Sequence, residues 1–188
     1  MTAKPPYIFI ITGTSGSGRK TAAHKALKGS NVVHVLSCTD RPPRSSESPD
    51  TDYRFVSAEQ FDIMHSNNLF VEYVQIDRYR YGISRRYLDL ALGAGNHAYV
   101  ILNRHGSDAL RAMYGERVVR IFIYVNKNTL RERLEAKGVS YDIIDSYLYH
   151  YNDEVTYRKN CEHVIENLSL DSTIAKIRYI VNGYIEHH

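Results

Sequence analysis

The stretch Gly13-Thr14-Ser15-Gly16-Ser17-Gly18-Arg19-Lys20-Thr21 decides the fold. It follows directly on a short apolar, β-branched run at 7–11 and leads into a helical pattern at 20–28. Glycines at this spacing let the backbone curl into a concave nest of N–H groups. The helix behind the nest aims its positive N-terminal end at the same point, so the segment suits a phosphate. An ordinary glycine-rich turn is the plainer reading. Strand, glycine loop and helix in this order are, however, the context that a phosphate-binding P-loop requires.

The loop departs from the pattern G-x-x-x-x-G-K-[ST]: Arg19 stands where Lys is called for, and Lys20 where a hydroxyl is called for. Arginine keeps the charge, but its planar fork does not reproduce a compact ammonium between phosphates. Lys20 removes the hydroxyl expected to ligate magnesium. A local bulge bringing Lys20 and Thr21 into register would leave Arg19, not glycine, before the lysine.

Outward from the loop, short β-branched runs recur at 32–36, 98–102 and 118–125, the pattern of strands buried on both faces. Helical patterns lie between them at 85–92, stopped by Gly93, and at 107–114, stopped by Gly115. Asn128 reads as the cap of a helix to Lys137, with Leu130 and Leu134 on one face and Gly138 at its end. A strand at 163–165 precedes a helix from Ser172 that carries Ile174, Ile177 and Val181. This alternation predicts an α/β fold, a parallel sheet with helices on both faces. Residues 39–84 break it, with a loop rich in Pro, Ser and Asp and a strand at 54–56. A Ser57/Gln60 capping box then opens a helix to about His65, and a strand at 70–76 and a Tyr-rich turn follow. They read as a small mixed substrate-binding subdomain, and helical 140–158 as a lid. The expected organisation is one domain over 1–188: core 7–38, 85–137 and 160–183, subdomain 39–84, lid 138–159.

Composition narrows the classes. A chain of 188 residues supports one well-cored domain. It has no apolar run near the roughly 20 residues of a membrane span. Residues 1–6 lack the apolar stretch of a secretory leader, so the expected address is the cytoplasm. Cys38 and Cys161 lack metal-ligand spacing and are expected to be reduced thiols, so no protein metal site is expected. A net charge of +3 without a Lys/Arg block argues against nucleic acid as partner. His187-His188 reads equally as native or as a tag remnant and carries no functional reading.

Four further segments follow in order: Ser37-Cys38-Thr39-Asp40-Arg41-Pro42-Pro43-Arg44, Asp52-Tyr53-Arg54-Phe55-Val56-Ser57, Phe70-Val71-Glu72-Tyr73 and Tyr81-Gly82-Ile83-Ser84. With the P-loop, the pattern S-x-x-x-R-x-x-R, D-Y-x-F-V-S, F-x-E and Y-G resembles the guanylate kinase family over about 7–181. The resemblance implies the P-loop nucleoside monophosphate kinase fold, with ATP as donor and GMP as acceptor. Arg41, Arg44, Tyr53 and Tyr81 would then hold the 5′-phosphate of GMP, for which guanidinium forks and phenols are suited. Ser37 and Glu72 would read the base, with Asn103 also in the GMP set. A carboxylate accepts from both N1–H and the 2-amino group of guanine, and adenine offers neither donor. On the donor side the resemblance implies Gly13, Ser15, Gly16, Gly18, Arg19, Lys20, Thr21, Arg133 and Lys137 around the ATP phosphates. Arg19, Lys20 and Arg133 would be catalytic, and Mg²⁺ would be held mainly by the nucleotide.

Other departures bear on catalysis. The family's acidic D-x-D pair falls on Ile101 and Asn103, with Arg104 beside them; Ile83 replaces a phosphate-contacting hydroxyl, with Ser84 next to it; and Tyr147 stands where the lid carries an Arg. Arg133 and Lys137 match the family's basic pair, although a charged helix face reads almost as well. Ile144, Tyr147, Tyr151 and Val155 form a stripe among the lid tyrosines 141, 147, 149, 151 and 157. Packing against the body is the default, and a homodimer or partner surface the alternative. Two functions remain: an ATP:GMP phosphotransferase, or a binding module of the same fold with weak or no catalysis. A kinase for another phosphorylated small molecule fits Glu72 poorly.

Overall fold

Six consecutive buried residues make the first strand, and the elements alternate from there: β1 (Ile8–Gly13), α1 (Arg19–Leu27), β2 (Val32–His34), β3 (Ser37–Thr39), β4 (Arg54–Phe55), α2 (Ala58–Ser66), β5 (Phe70–Ile76), β6 (Tyr79–Ser84), α3 (Arg85–Gly93), β7 (His97–Ile101), α4 (Arg104–Tyr114), β8 (Val118–Tyr124), α5 (Lys127–Ala136), α6 (Tyr141–Thr156), β9 (His163–Glu166) and α7 (Leu170–Glu186). The computed structural model describes residues 5–45 and 47–186. His187-His188, and most of the leader reading at 1–6, lie outside them. The fold is of the α/β class, a parallel sheet flanked by helices. The described residues form two compact units, 5–8 with 31–118 and 9–30 with 119–186.

In the first unit β2 pairs in parallel with β7, and a separate mixed sheet runs in the order β4-β3-β6-β5. Its hairpin, β5 to β6, turns at Asp77, whose φ of 55° is one that Asp tolerates. Helix α2 opens with the expected capping box, Ser57 and Gln60 each bonding the other's backbone N–H. It buries Phe61, which with Cys38 and Phe70 makes a small core. In the second unit β8 pairs in parallel with β9, and the Thr14 N–H donates to Ile123 O, tying the end of β1 to β8. Helices α5 and α6 close over a core of Val125, Leu130, Leu134, Ile144 and Tyr151, with Tyr147 and Val155 packed beside it. The lid stripe therefore packs inward, as its default reading holds.

Four local expectations change. The cap of α5 is Asn126, whose side chain accepts from the Thr129 N–H at 2.9 Å; Asn128 falls inside the first turn because β8 ends at Tyr124. Tyr79 and Tyr81 lie not in a turn but in β6, paired with Ile76 and Val74. Ser37–Thr39, which has no apolar run to mark it, becomes β3 by pairing with β4 and β6. Asn103 starts α4 at Arg104, a turn earlier than the periodicity. Among the described residues no helix is long and apolar enough to cross a membrane, and neither Cys38 nor Cys161 is in a disulfide.

Candidate functional site

The glycine loop of the second unit has the conformation its sequence predicts. Gly13 and Gly18 take φ of 144° and 80°, and a Cβ on Gly13 would run into the carbonyl oxygen of Ile123. Gly18 caps α1, and the Ala22 N–H donates to its carbonyl at 3.0 Å, so Arg19 and Lys20 follow it without a bulge. Thr14 Oγ1 and Ser17 Oγ are buried with no hydrogen-bond partner among the described residues. Orphaned hydroxyls in a phosphate-type loop are groups that a ligand would satisfy.

Among the donor-side candidates, Arg19, Arg133 and Ser15 are engaged by the protein itself. Arg19 donates to the carbonyl of Gly13. Arg133 donates to the carbonyls of Asn167 and Leu168 at 2.7 and 3.2 Å. Lys20 is half-buried, Thr21 is exposed, and exposed Lys137 caps the end of α5. Ser15 N–H and Oγ both donate to Glu154 of α6, at 2.8 and 2.6 Å. A Cβ on Gly16 would lie 2.6 Å from Leu130 and 3.4 Å from the Tyr147 ring, so this glycine sits directly against α5 and α6. Asn167 holds the loop from the other side: Nδ2 donates to Ser17 O at 2.7 Å, and Oδ1 accepts from Thr173.

The acceptor-side candidates lie in the first unit, where the mixed sheet orders them. Ser37 pairs with Ile83, and Ile83 with Glu72, so the three form one row across β3, β6 and β5. Two residues along, Thr39, Tyr81 and Val74 form the next row on the same face. A register shift, a β-bulge or irregularity, falls between Phe70 and Glu72, just before that residue. Glu72 is buried, and burial pushes its carboxyl up to about 7, although the nearby backbone N–H of Ile83 pulls the other way.

Next to the Tyr81 row, Arg41 is fixed from several sides. Its Nε donates to Tyr81 Oη at 3.2 Å, its Nη1 to Pro42 O, and its Nη2 to both oxygens of Glu47 at 2.9 Å. Tyr53 packs edge-on against Tyr81, and the Arg41 guanidinium lies 5.5 Å from the Tyr53 ring centre. The Arg44 N–H also donates to Glu47. Burial raises the Glu47 carboxyl, but the bonds from Arg44 and Arg41 outweigh it and hold the carboxyl below its ordinary range. Asn103 uses its side-chain oxygen to cap α4, accepting from the Gly106 N–H at 3.0 Å. Sequence reasoning missed Glu47, Glu154 and Asn167. Glu47, three residues after Arg44, had a local signal; Glu154 is 139 residues from Ser15 and had none. Among the described residues no three His, Cys, Asp or Glu gather to hold a metal ion.

A strand, a left-handed glycine loop and a helix beneath orphaned hydroxyls define a P-loop α/β protein, here with a buried carboxylate and an arginine–tyrosine clamp in a mixed sheet. The chain belongs to the guanylate kinase family, whose model matches residues 6–184. It is 29% identical over 177 residues to the guanylate kinase of Francisella tularensis subsp. holarctica strain OSU18, covering 91% of this chain and 93% of that one. It is 29% identical over 190 residues to that of Bacteroides thetaiotaomicron, covering 98% and 91%. The crystal structure of guanylate kinase from Anaplasma phagocytophilum superposes with a TM-score of 0.79 at 25% identity, over 96% of this chain and 86% of that one.

Proposed function

We propose that this chain binds GMP and transfers to it the terminal phosphoryl group of ATP, giving ADP and GDP. The carrying observation is the row Ser37–Ile83–Glu72, which lies beside the Tyr81 row with Arg41 bonded to Tyr81. A buried carboxylate in the first row meets the N1–H and 2-amino donors of guanine, and an adenine there would leave it unpaired. Arg41, Arg44, Tyr53 and Tyr81 would take the 5′-phosphate through charge-assisted hydrogen bonds. On the loop, the N–H groups of residues 15–20 and the hydroxyls of Thr14 and Ser17 would meet the donor phosphates, with Arg19, Lys20, Arg133 and Lys137 as cations. Asn103 belongs to the acceptor pocket in this reading.

Lys20 in the hydroxyl position suits a metal that arrives on the nucleotide. Mg²⁺ carried there would neutralise phosphate charge. One guanylate-kinase-like domain over 1–188 with a lid at 138–159 and a cytoplasmic address suit this reading. The bond from Arg19 to Gly13 favours slow turnover, and at its limit the binding module. ADP release from ATP and Mg²⁺ with GMP as acceptor, with Glu72→Gln as control, tests the proposal. GMP-dependent turnover that collapses in the control supports the kinase. No turnover in protein shown by titration to bind GMP leaves the binding module.

A further inference from the structure

Gly106 lies in the first turn of α4, buried, with no left-handed φ. Glycine at a helical position is worse than alanine by roughly 1 kcal/mol. Neither backbone geometry nor helix propensity therefore accounts for it. Space does: a Cβ there would stand 2.8 Å from Glu72 Oε2, 3.1 Å from its Cδ and 3.3 Å from Leu102 Cδ1. The Glu72 carboxylate leans on the helix at the one point where no side chain begins. It is not held by the Gly106 N–H, which donates to Asn103 instead. Its seat is the bare face of Gly106, with the β5 register shift just before Glu72 and the Ile83 N–H nearby.

We propose that Gly106 is a specificity-determining positioning residue: by lacking a side chain it sets the depth of the Glu72 carboxylate, and hence the preference for guanine over adenine. This rests on the reading of Glu72 as the base reader. A methyl at residue 106 must move something, and the carboxylate is the far end of a flexible side chain. The fold therefore survives while the carboxylate is pushed toward the base.

The test is titration of GMP and AMP, with thermal melting, on the unaltered protein, Gly106→Ala, Glu72→Ala and the double variant. The expected result is that Gly106→Ala melts no lower than the parent and loses about tenfold or more of the preference for GMP, with AMP affinity within about twofold. In the Glu72→Ala background the same substitution changes GMP affinity by less than about twofold, because its effect runs through Glu72. Retained preference in Gly106→Ala overturns the inference alone, as does a lowered melting temperature or an equal loss in the Glu72→Ala background. A parent protein that does not distinguish GMP from AMP overturns the base reading and this inference together.

Discussion

The carboxylate of Glu154 holds Ser15 by both of its donors, the backbone N–H at 2.8 Å and the hydroxyl at 2.6 Å. An N–H of the anion-binding loop is thus already given to an anion from α6. A phosphate oxygen using that N–H must displace the carboxylate. Glu154→Gln is expected to raise ATP affinity severalfold, read by titration calorimetry, and to lower stability by about 1–2 kcal/mol through loss of charge-assisted bonds. Weaker ATP binding would show instead that Glu154 preorganises the loop.

Arg19 bears on rate rather than binding. Its fork is bonded to the Gly13 carbonyl, whereas a lysine ammonium has a single compact charge on a flexible stem. Arg19→Lys is expected to raise kcat for GMP phosphorylation by about tenfold or more with little change in KM for GMP, measured by coupled ADP release.

Glu47 is the partner that makes a buried Arg41 tolerable. Both oxygens take Arg41 Nη2 at 2.9 Å, and the two side chains are 9% and 11% exposed. Glu47→Ala leaves the guanidinium with Tyr81 and Pro42 alone. The expected cost is about 2 kcal/mol in denaturant unfolding.

Glu72 should write itself into the pH dependence of stability. Its carboxyl is raised from 4.5 to about 7 by burial, so between those values the folded chain binds more protons than the unfolded one. Stability therefore falls as pH rises from about 4.5 to about 7, by at most roughly 3 kcal/mol. In Glu72→Gln this component should vanish, and chemical denaturation across the window measures the difference.

Much of the fold was legible because its signals are local. The run before Gly13, the glycine spacing, the Ser57/Gln60 box and the β-branched runs that became β7 and β8 each act within a few residues. Their positions needed no knowledge of partners. The errors came where a neighbour overrode a weak local cue: β3 and β6 are strands because they pair with each other, and α5 starts at Lys127, capped by Asn126, because β8 ends just before it.

By itself, the sequence determined the P-loop, the α/β class and the order of residues that suit a guanine mononucleotide, since glycine spacing, periodicity and residue type are properties of the chain. Only the tertiary structure decided what those side chains do. It joined Ser15 to Glu154, turned Arg19 and Arg133 onto carbonyls, paired Arg41 with Glu47 and set Glu72 against Gly106. Hydrogen bonds and close contacts depend on distance in space, and 139 residues of chain separate Ser15 from the carboxylate that holds it.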